Sequence, residues 1–309
     1  MSATIQVLRQ GDTTKVDPFT VCFVANPVLE LPEDSGNFVE DPIVSQPSDF
    51  DACVAYAVDN LFGDLAGQRE QLLGPPDIRN AVRMVSLFVP GLPAQDVNCL
   101  VAGQDLAFGD LIICRRSAVR PFLSRFGLDA DLVFAVTGST EPQKRATAWA
   151  TTDDDSRPGV PFTLDGRTFS HRHYALVPGT VALHVDDRDM TPLHELQHAL
   201  GSFTNGFIED LYHPNLDPSV APVINKRRGR PIPANFAVYN GTTFRSDPSR
   251  DGLGYGTWRS YHGELHFPSA PAVMDDYTAA PPSIGALGCE NDRITRAFLQ
   301  DRIRAKINR

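Results

Sequence analysis

No stretch of this 309-residue chain approaches the ~18 consecutive apolar residues of a membrane span, and Met1 to Val16 lack the basic and apolar regions of a signal peptide. The expectation is a protein outside the membrane, either cytoplasmic or exported without a leader. Basic residues are in the minority. Against 38 Asp and Glu there are 28 Lys and Arg, and the net charge of −10 argues against nucleic acid or an anionic membrane as partner. Cysteine is scarce and unpatterned. Cys22, Cys53, Cys99, Cys114 and Cys289 are odd in number and show no C-x-x-C spacing, so buried free thiols are expected rather than a disulfide framework or a cysteine zinc site. Internal repeats and low-complexity tracts are also missing, which removes repeat architectures.

What is present has the length for one large domain or two small ones with an ample core. Phe19 to Leu29 reads as a buried strand ending near Pro27, and Glu30 to Pro47 as an acidic surface connection, with an inhibitory pro-segment as the second reading. Ser48 is placed to cap a helix. Its apolar residues Phe50, Cys53, Val54, Ala57, Val58, Leu61 and Phe62 recur at helical spacing. Arg83 to Val89, Leu111 to Arg115 and Asp131 to Thr137 read as strands, and Ser117 to Phe126 as a short helix. This alternation predicts an α/β domain with a largely parallel sheet. Ala146 to Arg167, with Asp153-Asp154-Asp155, reads as a loop: a solvated acidic turn, or one holding a structural cation. Thr168 to Val177, carrying His171 and His173 on one face, and Thr180 to Val185 read as strands. The region from Glu209 to Pro271 shows little periodicity, and the basic run at 226–230 reads as a solvated loop. Asp292 to Ile307 closes the chain as an amphipathic helix burying Ile294, Phe298, Ile303 and Ile307.

The chemistry-bearing stretch is 189–206. It contains His194-Glu195-Leu196-Gln197-His198, an H-E-x-x-H pattern that sets two imidazoles one helical turn apart with a carboxylate beside them. Thr191 is placed to cap the helix and Pro192 to open it. Leu193, Leu196 and Leu200 then share one face, with His194 and His198 roughly opposite and Glu195 at their edge. Gly201 allows the chain to turn back toward the histidines, where a third ligand would come from. Near that return Glu209, Asp210 and His213 are competent donors, whereas Thr204 and Asn205 are poor ones.

His194, Glu195, His198 and Gly201 resemble the H-E-x-x-H-x-x-G core of the metzincin metallopeptidases, and 272–277, containing Met274 and Tyr277, resembles their methionine turn. Thr204 stands where that family carries its third histidine, and Tyr277 falls one residue later than in members that use such a tyrosine. Asp210-Leu211-Tyr212 is similar to the Asp-x-Tyr element of immunoglobulin A peptidase-like members. The resemblance implies a single α/β (α+β), zincin-like catalytic domain over 1–309. A subdomain at 15–201 would hold a mixed, mostly parallel twisted sheet and the active-site helix. A smaller irregular one at 202–309 would hold the methionine turn and the final helix. It further implies one catalytic Zn2+ on His194, His198 and Asp210, with His213 as the alternative third ligand. Glu195 would be the general base and Tyr277 a catalytic neighbour, with Met274 as an apolar floor. The strand at 168–177 would be an edge bordering the cleft, on which an extended peptide aligns.

The expected activity is therefore zinc-dependent endopeptidase action on a peptide or protein substrate. Two other classes use the same residues: a zinc-dependent amidase or deacylase on a non-peptide amide, and a non-catalytic zincin-like binding module.

Overall fold

The computed structural model describes residues 3–15, 18–32, 35–90, 100–103, 112–139, 146–149, 160–164, 167–171, 178–200, 255–260, 263–268, 273, 285–291, and, toward the C-terminus, 296, 299–300, 303–304 and 306–308. With strands numbered along the chain, a six-stranded sheet runs in the order β1 (Thr4–Arg9), β5 (Arg83–Phe88), β2 (Thr20–Ala25), β8 (Leu132–Thr137), β12 (Gly179–His184), β9 (Thr147–Trp149). The inner four strands are parallel to one another, and both edges are antiparallel. A four-stranded sheet takes the order β4 (Phe38–Glu40), β3 (Val28–Glu30), β6 (Val101–Gly103), β7 (Ile112–Cys114). Two hairpins, β10 (Val160–Leu164) with β11 (Arg167–His171) and β13 (Tyr255–Ser260) with β14 (Gly263–Pro268), complete the strands. The helices are α1 (Pro47–Phe62), α2 (Pro76–Ala81), α3 (Arg116–Ser124) and α4 (Thr191–Leu200). The chain is thus mixed α/β around a mostly parallel sheet. Among the described residues no helix is long and apolar enough to cross a membrane.

Parallel strands covered on both faces read as continuous apolar runs, and β2, β8 and β12 are buried at every position. Alternate residues divide between two cores. Val21, Phe23, Leu132, Phe134, Val181 and Leu183 pack with α1 and with Leu193, Leu196 and Leu200 of α4. Cys22, Val24, Val133, Ala135 and Ala182 pack with Val119, Phe122 and Leu123 of α3 and with the smaller sheet. Phe23 and Phe134, side by side on β2 and β8, stack with ring centroids 5.0 Å apart.

Several expectations are corrected. The apolar run 19–29 is two strands in two sheets, divided at Asn26, whose N–H still donates to Val136 O of β8 at 2.8 Å while its side chain reaches the smaller sheet. Its Oδ1 accepts from Leu100 N and Val101 N, and its Nδ2 donates to Asp41. Pro27, lacking an N–H, cannot resume the same pairing. The acidic stretch 30–47 is not merely a surface connection. Asp41 is fully buried and accepts from Ile43 N, Gly138 N, Thr137 Oγ1 and Asn26 Nδ2, so it ties the start of α1 to the end of β8. Burial pushes its carboxyl above the usual range, against those four hydrogen bonds. Helix α1 begins at Pro47 after Gln46, with no side-chain cap, so Ser48 is not its cap. It ends on Gly63 in the left-handed conformation (φ 76°). The supposed loop 146–167 contains β9 and β10, and the aperiodic region 209–271 contains the β13–β14 hairpin.

Of the strand expected over 168–177, residues 168–171 lie in β11, which pairs with β10 in a separate hairpin, while 172–177 lie outside the described residues; among the described residues the strand at the edge beside β12 is β9. His171 ends β11, while His173 lies outside the described residues, as do Asp153 to Asp155 and the basic run 226–230. Of the closing helix, Leu299 and Ile303 are buried and Ile307 packs against the first core; Ile294 and Phe298 lie outside the described residues. Cys22 and Cys53 are buried free thiols, which burial pushes up to about 12, and Cys114 and Cys289 are buried as well.

Candidate metal centre

Helix α4 follows β12 directly, and one glycine sets how closely the two pack. A Cβ on Gly179 would lie 2.7 Å from the carbonyl oxygen of Ala199 and 2.5 Å from Leu132 Cδ2. The oxygen is part of the helix backbone, so an added methyl would require α4 itself to shift. Glycine therefore lets the C-terminal turn of α4, which carries His198, rest on the start of β12.

The opening turn of α4 has a complete account of its backbone donors, and it differs from the one expected. Thr191 is the first helical residue, and its N–H donates to Asp189 Oδ1 at 2.7 Å. Pro192 has no N–H. Leu193 N donates to Asn60 Oδ1 of α1 at 3.0 Å, and His194 N makes the first intrahelical bond, to Met190 O at 2.9 Å. Nor does α4 divide into one buried and one open face. His194 and Glu195 are each only 8% exposed, and His198 alone is half-buried.

The two imidazoles converge. His194 Nε2 and His198 Nε2 are 3.2 Å apart, with the rings edge-to-face and their centroids 4.8 Å apart. On its other side His194 Nδ1 lies 2.5 Å from the carbonyl oxygen of Val273. A carbonyl only accepts, so Nδ1 carries the proton and donates it, which leaves a lone pair on Nε2. That is the tautomer of a metal-ligating histidine, with the backbone carbonyl as its outer partner. Two nitrogens bound at ~2.0–2.1 Å in a tetrahedral zinc site stand about 3.3 Å apart, so the donor pair fits such an ion. Either one proton or one metal ion can bridge this spacing. Among the described residues no group of three or more His, Cys, Asp or Glu forms a metal cage.

The electrostatics near α4 are negative. Asp187 accepts from His184 N at 2.7 Å. Burial pushes the Asp187 carboxyl up to about 7 against that hydrogen bond, and the charges of Asp189, Glu195 and Asp186 raise it further. A carboxylate neighbourhood of this kind favours a cation beside it. Between the histidines in sequence, Gln197 is fully buried, and among the described residues its amide has no hydrogen-bond partner.

Of the residues singled out by sequence, the structure brings His194 and His198 together with Glu195 between them on α4. Asp210, His213, Met274 and Tyr277 lie outside the described residues, as do Gly201 and Thr204. Sequence reasoning missed Asn60, Asp187, Asp189 and the Val273 carbonyl. Asn60 had left a signal, since it falls in phase with the apolar stripe of α1, three residues after Ala57 and seven after Cys53. No protein-family model matches the chain, and no curated protein matches it either.

Proposed function

We propose that the protein is a zinc-dependent peptidase with a zincin-like catalytic domain, in which His194 and His198 hold the ion and Glu195 moves protons. The observation that carries this reading is the convergence of the two Nε2 atoms at 3.2 Å, with His194 held in the ligating tautomer by Val273 O. When bound, zinc supplies a Lewis acid for a substrate carbonyl and lowers the pKa of water to ~7. Glu195 takes a proton from the attacking water as general base and returns it to the leaving amine as general acid. By the family resemblance, Asp210 would supply the third ligand, with His213 as alternative, and Tyr277 would be a catalytic neighbour. The order of elements supports the zincin-like part of the reading: α1, the parallel strands, β12, then the motif helix.

An extended substrate needs a sheet edge, and β9 replaces the strand at 168–177 as the candidate, since it borders β12, from which α4 departs. The test combines elemental analysis of the purified protein with digestion of a peptide library. One zinc per chain with peptide cleavage is expected. One zinc with turnover of only non-peptide amides would make it an amidase or deacylase, and no metal with no turnover would leave a binding module.

A further inference from the structure

We propose that Asn60 is a positioning residue for the metal-binding helix, setting where His194 stands through a hydrogen bond made 133 positions away in sequence. The inference rests on the reading of α4 as that helix. Asn60 is fully buried on α1, and every polar group of its side chain is used. Its Oδ1 accepts from Leu193 N at 3.0 Å, while its Nδ2 lies 3.3 Å from Gln68 Oε1 and 3.5 Å from Met190 Sδ.

The direction of each bond is determined by two carbonyls. Gln68 Nε2 lies 2.6 Å from Asn60 O and 3.0 Å from Glu70 O, and both oxygens only accept. That end of the Gln68 amide must therefore be the NH2. Its Oε1 then faces Asn60, so Asn60 presents its own NH2 to Gln68 and its oxygen to Leu193 N. A flip of either amide would set like groups against each other.

A local cap would satisfy Leu193 N more simply. Ser, Thr, Asp or Asn at position 190 serves that purpose in most helices, yet Met190 stands there. With the acceptor on α1, the axial position and rotation of α4 are referenced to a neighbouring helix rather than to the loop that precedes it. Asn60 holds both Met190 and Leu193, the residues to which His194 is tied by its backbone hydrogen bond and by its peptide bond. The hub is itself anchored. Glu70, fully buried, accepts from Asn291 N at 2.6 Å and from Arg296 Nε and Nη2 at 2.9 and 3.0 Å.

The test uses the full chain with Asn60→Leu and Gln68→Met. Two properties are read: solvent exchange of the His194 Nδ1 proton in metal-free protein by nitrogen-15 NMR, and zinc affinity by competition with a chromophoric chelator. In Asn60→Leu that proton is expected to exchange faster and zinc affinity to fall by about tenfold or more. A cooperatively melting Asn60→Leu that matches wild type in both readings would overturn the proposal. If Asn60→Leu fails to fold, Gln68→Met decides: faster exchange supports the proposal and unchanged exchange overturns it. Should wild type bind no zinc while the proton responds as expected, the metal reading fails and the positioning role stands.

Discussion

His194 and Val273 are 79 positions apart in sequence, and the imidazole Nδ1 of the first lies 2.5 Å from the carbonyl oxygen of the second. The contact joins the motif helix to the segment that resembles a methionine turn, and it comes from the residue immediately before Met274. The Val273 carbonyl thus fixes which nitrogen of His194 carries the proton, a polar task that does not depend on the neighbouring methionine. Replacing His194 with Nδ-methylhistidine keeps Nε2 and removes the donor. Zinc affinity is then expected to fall by about 10–100-fold, as is usual when a ligating histidine loses its outer partner. A competition titration measures it, and affinity equal to wild type would show the carbonyl to be irrelevant.

On the proposed mechanism, in which the carboxylate would transfer protons rather than coordinate, Glu195→Gln should retain one zinc per chain and lose peptide hydrolysis by about 10²–10⁴-fold. Elemental analysis and a fluorogenic peptide assay on the same preparation check both halves. Activity retained in this variant would remove Glu195 from the mechanism.

The third ligand is open to a paired measurement. Asp210→Ala is expected to weaken zinc binding by orders of magnitude, and His213→Ala to leave it nearly unchanged. The reverse pattern would transfer the role to His213.

Gly179→Ala tests how closely α4 must lie on β12. The added methyl meets the Ala199 carbonyl and Leu132, and the expected cost is about 1–3 kcal/mol of stability in denaturant unfolding. Zinc affinity should fall with it, since His198 directly precedes Ala199. A variant that is as stable as wild type would mean that the helix shifts freely.

Asp187 gives the metal-free protein a specific pH response. Its carboxyl is raised from 3.8 to about 7 in the folded state, so between these values the folded chain binds the proton more readily than the unfolded chain. Its contribution to stability is therefore present at low pH and is lost as pH rises through this window. Asp187→Asn should be more stable than wild type at pH 8, with the difference shrinking toward pH 4. Thermal melts across that range, in chelator, provide the comparison, and a gap independent of pH would contradict it.

What the sequence made legible was local. Strands buried on both faces announce themselves as apolar runs, and so β5, β8 and β12 lie where expected, within a residue or two. The H-E-x-x-H spacing fixes the turn of α4 that carries the two histidines whatever surrounds it. What stayed hidden depends on partners distant in the chain. Asp41 reads as one more acidic residue in a polar stretch until Thr137 and Gly138 are placed beside it, 96 and 97 positions on. The three-residue strand β9 is too short for a period of two to register, and it becomes a strand only by pairing with β12. The cap of α4 was misassigned for the same reason: Thr191 is a plausible local cap, and the acceptor for Leu193 lies on another helix.

The dependence of α4 on Asn60 also bears on the order of folding. A ten-residue helix is too short to persist alone in water, and this one draws an acceptor for its first turn from a helix 133 positions earlier. It is therefore expected to consolidate only once α1 and the central strands have come together, which would bring the two imidazoles together late. On that account the refolding rate of the chain should not depend on the concentration of any ion they take up.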